Sequence, residues 1–402
     1  MDQKSANLRL NNLHYYLSTH YHYIITGAGL AGSSLLMRMM REPFFSDKKI
    51  LVIDQSPKTQ NDRTWCFWEK EAGIFQSIVH HQWNNIEFFS NNYSDTLNIS
   101  PYQYKMIQGI DLYTFVKKET EKHPNIEWRY EEVRSIKNKI NKSAVETSIQ
   151  TCTADYVFNS ILFKNILVPP SGGGGGYLLL QHFKGWLIET PEPRFDHSKA
   201  TFMDFRVSQE HGTTFMYVMP TSPTTALVEY TLFTEQLLPQ DAYDKALRQY
   251  ISSDLGITDY TIKHEEFGVI PMTNKIFPLQ EGRIVYTGIA GGQAKGSSGY
   301  AFQFVQKRTK EMVDRLIKDG SVSLQRTWDD KKFHLYDSVL LNVLYKHKMN
   351  GAEIFSRIFQ NNPPQRVLRF LDNETTFAED LQIMRSVPMG IFLPAAIQEL
   401  MG

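Results

Sequence analysis

Tyr21–Gly32, YHYIITGAGLAG, decides the fold. Residues 21–26 read as a short β run rich in Tyr, Ile and Thr, and a G-x-G-x-x-G turn follows at Gly27, Gly29 and Gly32. SSLLMRMM (33–40) then has helical spacing, and KKILVID (48–54) is a second apolar strand ending in Asp54, 22 residues beyond Gly32. A lone glycine triplet is a weak signal. Between a strand and a helix, with a carboxylate at the end of the next strand, it is a dinucleotide-binding βαβ unit. Gly27 permits the tight turn, Gly29 lets the backbone approach a pyrophosphate, and Gly32 lets helix and strand pack closely. Asp54 can accept from ribose hydroxyls. The fingerprint alone does not separate NAD from FAD.

A second glycine loop lies far along the chain, at Gly288–Gln306, GIAGGQAKGSSGYAFQFVQ. Free backbone N–H groups and the positive end of the following helix suit it to hold an anion. One dinucleotide loop at the very start and a partner loop near the C-terminus is the FAD arrangement, with one large cofactor gripped from both sides. The candidate cofactor residues are Gly27, Gly29, Gly32, Asp54, Arg63, Gly288, Gly291, Gly292, Lys295, Ser297, Ser298 and Gly299. Lys295 either adds charge at the cofactor or is a solvated loop lysine.

The 402 residues suffice for two or three domains. Lys plus Arg and Asp plus Glu both number 43, so no basic excess points to nucleic acid. Two cysteines, Cys66 and Cys152, argue against a disulfide framework or a cysteine metal site. Aromatics make up 13%, which fits either a Phe-rich core or an apolar ligand tunnel. No apolar run reaches the roughly 18 to 20 residues of a spanning helix; the longest candidate is MGIFLPAAI at 389–397. A soluble or peripherally attached protein is expected.

The pattern predicts an α/β fold in three regions. An FAD-binding Rossmann-like domain is discontinuous over 21–83, 100–170 and 268–320. A β-rich antiparallel substrate domain covers 84–99 and 171–267, and a helical region covers 321–402. Residues 1–20 read as an extension, and SGGGGG at 171–176 as a flexible boundary loop. In the helical region, Phe333, Tyr336, Leu340 and Leu344 share one face, and Ile354, Phe355, Ile358 and Phe359 another. Such stripes are core or, alternatively, a membrane-facing surface.

NDRTWCFWE (61–69) sets Asp62, Arg63 and Glu69 among Trp65, Phe67 and Trp68. It is either a surface salt bridge beside a buried turn or the wall of a site where aromatic faces meet a cation. This block, with GYLLLQHFKGWLIET, MDFR, LVEYT, IPM and GIAGGQAKGSSGYAF, resembles in order the blocks of the bacterial FAD-dependent lycopene β-cyclases. The resemblance runs from about Tyr21 to the C-terminus and implies the flavoprotein hydroxylase and geranylgeranyl reductase fold. Gly296 departs from it, standing where a stiffer residue such as proline is expected, which implies a more mobile loop.

The resemblance implies that each linear ψ end of lycopene is closed to a β-ionone ring, without net redox change. NADPH would reduce the FAD. An acid must protonate an unactivated alkene, and a buried carboxyl keeps its proton at neutral pH where an exposed one does not. Glu229, within LVEYTLF, matches the family's acid. Trp65, Phe67, Trp68, Glu69 and Asp204 would line the substrate pocket, although Asp204 also reads as an ion-pair partner of Arg206. His182 and Trp186 read as site or packing residues. The implied partners are lycopene and other acyclic carotenoids and a lipid surface, with a cytoplasmic location at the inner membrane. The rival readings are a flavin monooxygenase or polyene reductase on the same scaffold, and a non-catalytic carotenoid- or flavin-binding protein.

Overall fold

Apolar strands flanked by short glycine turns build two large sheets, which meet around the site. The computed structural model describes residues 19–163 and 176–401, so residues 1–18 of the extension and nearly all of the SGGGGG run lie outside the described residues, and the extension's last residue, His20, already belongs to the first strand. The strands are β1 (His20–Thr26), β2 (Ile50–Asp54), β3 (Thr64–Glu69), β4 (His81–Trp83), β5 (Asn85–Phe89), β6 (Ser94–Asn98), β7 (Gln103–Gln108), β8 (Ile126–Tyr130) and β9 (Val133–Lys139). They continue with β10 (Lys142–Thr147), β11 (Thr151–Asn159), β12 (Leu178–Glu189), β13 (Lys199–Asp204), β14 (Thr213–Pro220), β15 (Thr225–Thr234), β16 (Thr261–Thr273), β17 (Gln280–Glu281) and β18 (Ile284–Tyr286). The α-helices are α1 (Leu30–Met40), α2 (Gly109–Thr120), α3 (Gln240–Ser253), α4 (Phe302–Asp319), α5 (Trp328–Tyr345), α6 (Gly351–Asn361), α7 (Pro364–Leu371), α8 (Phe377–Arg385) and α9 (Met389–Met401).

The first sheet runs β17-β18-β11-β1-β2-β8, with β9 and β10 attached at β11. Its centre is parallel, β1 lying between β2 and β11, and β2 is buried throughout, as a strand covered on both faces must be. α1 and α4 cover it together: Arg38 donates to Gln306 and Thr309, and Gln306 donates to the Ser34 hydroxyl. This is the Rossmann-like unit expected from the first glycine turn.

The second sheet runs β16-β12-β15-β14-β13-β5-β6 and is antiparallel except between β13 and β5. Along β15 the side chains alternate. Ala226, Val228, Tyr230 and Leu232 pack toward α3, while Leu227 and Phe233 join the core beneath the C-terminal helices. Glu229 and Thr231 share the latter face.

Three differences from the sequence-based expectations are physical. β16 passes the expected boundary at 267 and pairs with β12 to Thr273, because VIPM continues the ladder. Phe333, Leu344, Ile354, Phe355, Ile358 and Phe359 are buried core, with Tyr336 and Leu340 half-buried, so those stripes are not a membrane face. The exposed apolar face lies instead on α9, at Met389, Leu393, Ile397, Leu400 and Met401.

Candidate active site

The first glycine loop has the conformation its sequence demands. Gly27 takes φ +89°, the left-handed region where a side chain is strained. A methyl group at Gly32 would collide with the Gly27 carbonyl oxygen, whereas the space beside Gly29 is open. Gly29 begins α1 without a side-chain cap and no acidic residue occupies the first turn, which leaves unpaired N–H groups facing an anion position. Buried Asp54 accepts the Ala28 N–H at 2.7 Å and the Ser56 N–H at 3.3 Å. Its remaining lone pairs can accept from a ligand hydroxyl.

The second loop is tied to itself and to the C-terminal helices. Gln293 Oε1 accepts the Gly288 N–H at 2.8 Å and the Thr287 hydroxyl at 3.1 Å. Gly288, Gly292 and Gly299 all have positive φ. Lys295 is neither a solvated loop lysine nor a free charge: it is buried, with Nζ 2.7 Å from Asp337 and 2.6 Å from Asn373 Oδ1. Ser297 donates to Asp337 at 2.6 Å. Gly291, Gly292 and Lys295 line a cavity of about 600 Å³ behind the loop, on the side of α5. Gly296 carries no Cβ because one would lie 2.7 Å from the Thr273 carbonyl oxygen; close packing, not looseness, accounts for it. Two buried polar atoms of this loop, Ser298 Oγ and Gln293 Nε2, have no protein partner among the described residues, consistent with a loop that completes its hydrogen bonds on a ligand.

Between the two loops lies a cavity of about 500 Å³. Gly29 of the first loop, Gly288 and Gly299 of the second, and Ala301 and Phe302 at the start of α4 all line it, and so does Glu229. Glu229 is buried, and Thr231 donates to its Oε1 at 2.8 Å. Burial first, and the neighbouring Glu266 second, push its carboxyl up to about 8. A carboxyl so placed holds its proton at neutral pH. Glu266 is also raised, chiefly by burial, and accepts the Thr64 hydroxyl at 2.9 Å. Both carboxylates pair in register with Gly185 of β12, one from each side. A Cβ on Gly185 would sit 3.1 Å from Glu266 Cγ, so glycine keeps the space between the acids clear.

Of the aromatic block, only Trp65 reaches this cavity, with Thr64, Cys66 and the Asp62–Arg63 pair beside it. Phe67, on the same face of β3 as Trp65 but further along it, stacks on Phe302 at 3.7 Å, and Trp68 is buried edge-on against Phe202 and Tyr300. Glu69 pairs with Lys105 at 2.9 Å. Fully buried Asp204 accepts from Arg206 at 2.7 Å and from the Tyr250 hydroxyl at 2.8 Å, beyond the cavity wall. Its ion-pair role is the one observed. These four therefore pack around the site rather than line it. His182 bonds Tyr243 and Thr234 and is lowered to about 4 by burial, and Trp186 packs under α3; both are structural. Sequence reasoning missed Glu266 and the aromatic wall of Tyr104, Phe183, Tyr217 and Tyr300. The Tyr217 and Tyr300 hydroxyls lie 3.1 Å apart, and burial raises both phenols.

A family model described as lycopene cyclase protein matches residues 23–395. The lycopene beta-cyclase of Pantoea ananas is 24% identical over 297 residues, covering 71% of this chain and 72% of that protein. Among solved structures, a geranylgeranyl bacteriochlorophyll reductase-like protein from Thermoplasma acidophilum superposes with a TM-score of 0.63 at 12% identity, covering 95% of this chain and 99% of that one. A flavoprotein/dehydrogenase from Cytophaga hutchinsonii gives 0.62 at 12% identity with the same coverage. The p-nitrophenol 4-monooxygenase of Pseudomonas putida gives 0.57 at 13% identity, over 94% and 98%. The fold is thus the one these flavoproteins share.

Proposed function

This chain belongs to the lycopene cyclase family, and from that premise we propose that it closes the linear ψ ends of lycopene into β-ionone rings, yielding β-carotene through the one-ring intermediate. The reaction is an isomerisation begun by an acid. The observation that carries this reading is Glu229: a buried carboxyl, protonated at neutral pH, facing the cavity that both glycine loops line.

The residues fit FAD as the bound cofactor. The α1 N-terminus at Gly29 would hold its pyrophosphate, Asp54 its ribose, and the Gly288–Gly299 loop with Ser298 the far end. When bound and kept reduced by NADPH, the flavin would supply a fixed negative charge beside the cavity. The rest is the chain's own work. Glu229 delivers its proton to the terminal alkene; general acids contribute about 10²–10⁴-fold. The faces of Trp65, Tyr217, Tyr300 and Phe183 oppose the positive centre, each worth about 0.5 to 2 kcal/mol. The apolar walls exclude water that would otherwise trap the cation.

No helix among the described residues is long and apolar enough to cross a membrane. Attachment to a lipid surface is supported by the exposed apolar face of α9 and by the insolubility of a C40 hydrocarbon. The rival readings, a monooxygenase or reductase, consume two electrons, one hydride of NADPH, per product. Expression in a lycopene-accumulating host tests the class: cyclic orange pigment supports the cyclase, and unchanged linear pigment with flavin-loaded protein rejects it.

A further inference from the structure

We propose that Glu266 is a positioning residue for the acid: its carboxylate, brought opposite Glu229 across Gly185, holds the transferable proton on Glu229. The inference rests on the cyclase reading and deepens it. Three observations carry it. The two acids come from strands on opposite sides of β12, β15 and β16, yet meet at one register position because residue 185 has no side chain. Each has its own hydroxyl donor, Thr231 for Glu229 and Thr64 for Glu266, so neither is a stray buried charge. Both line the cavity.

The groups facing the pair leave it to act as a unit. From β3 come Thr64 and the Cys66 thiol; from β14, the Tyr217 phenol; from the second glycine loop, Tyr300. Burial raises the thiol and both phenols, so they stay neutral where carboxyls titrate. His264 on β16 and half-exposed Arg63 are the cationic candidates that act on Glu266. Lys184, beside Gly185, turns to the other face and pairs with Asp244 and Glu265. Two buried carboxyls this close cannot both ionise cheaply, so they share one proton near neutrality.

The consequence for the reaction balances. Glu229 loses its proton as a C–H bond forms at the terminal alkene and the π bond opens. A second double bond then closes the ring, and a ring carbon releases one proton to a base, so nothing is gained or lost overall. Once the proton has left, the pair carries two negative charges against one carbocation. That favours the cation and draws a proton back for the next cycle.

The test is the pH dependence of ring formation with FAD kept chemically reduced. Wild type, Glu229→Gln, Glu266→Gln and Glu266→Asp are compared from about pH 6 to 9.5, bracketing the raised carboxyl, with bound flavin measured for each. Glu229→Gln should form no rings at any pH. Glu266→Gln should stay active at the acid end but lose its alkaline limb on the order of one pH unit earlier, about a tenfold loss near that limb. Glu266→Asp should move the limb back toward wild type. Should Glu266→Gln fail to fold, Glu266→Asp carries the test through a smaller shift in the same direction. A loss equal at all pH values, an unmoved limb, or an active Glu229→Gln beside a dead Glu266→Gln overturns the inference. A flavin-loaded wild type that forms no rings overturns the cyclase reading, and the inference with it.

Discussion

The proposed function places the chemistry in one carboxyl, Glu229, and the environment of that carboxyl also makes a stability signature. An ordinary glutamic acid titrates near 4.5, whereas this one is held up to about 8, first by burial. Between those values the folded protein binds a proton that the unfolded chain does not, so stability falls as pH rises through that window. The melting temperature should therefore drop between about pH 5 and 8, and Glu229→Gln should flatten the decline. An equally steep decline in the variant would reject the raised carboxyl. At this scale the sequence was half legible. Apolar neighbours on both sides of Glu229 marked it as buried. Glu266 was hidden in KHEEFGV, where Lys263 and Glu265 are exposed on an edge strand and make the whole segment look solvated. Only the pairing across Gly185 reveals that one of its two adjacent glutamates turns inward.

At the scale of elements, the first strand–turn–helix carries the cofactor claim. Gly32 touches the Gly27 carbonyl so closely that even alanine must push the helix away from the strand. Gly32→Ala should weaken flavin binding at least tenfold in an absorbance titration, about 1.4 kcal/mol or more. Unchanged flavin affinity would mean that α1 does not hold the pyrophosphate. This unit was legible because glycine spacing and strand patterning agree over a short span. The β3 block was less so. Its aromatics looked like one wall, but a strand sends alternate side chains to opposite faces, and the cavity meets only the stretch Thr64–Cys66. Trp65 and Phe67 share a face, but Phe67, further along the strand, stacks on α4, while Trp68, on the opposite face, fills the core under the C-terminal helices.

At the scale of the whole molecule, the two sheets and the C-terminal helices leave, among the described residues, a cavity between the glycine loops and an apolar face on α9 open to solvent. Helices α5 and α6, which looked equally able to face a membrane, spend their stripes on the core, and that partition depends on tertiary packing no local period encodes. Leu393→Glu with Ile397→Glu should reduce co-sedimentation with lipid vesicles while leaving flavin binding intact. Unchanged sedimentation would place any lipid contact elsewhere. The central claim, that Glu229 starts a proton-driven isomerisation, is tested most directly by the mass and yield of the cyclic product formed from lycopene in D₂O with reduced FAD. The account predicts one added deuterium per ring from wild type, no net hydrogen gain, and no cyclic product from flavin-loaded Glu229→Gln. Rings formed by that variant, or a product two hydrogens heavier with reductant consumed in step, would contradict it.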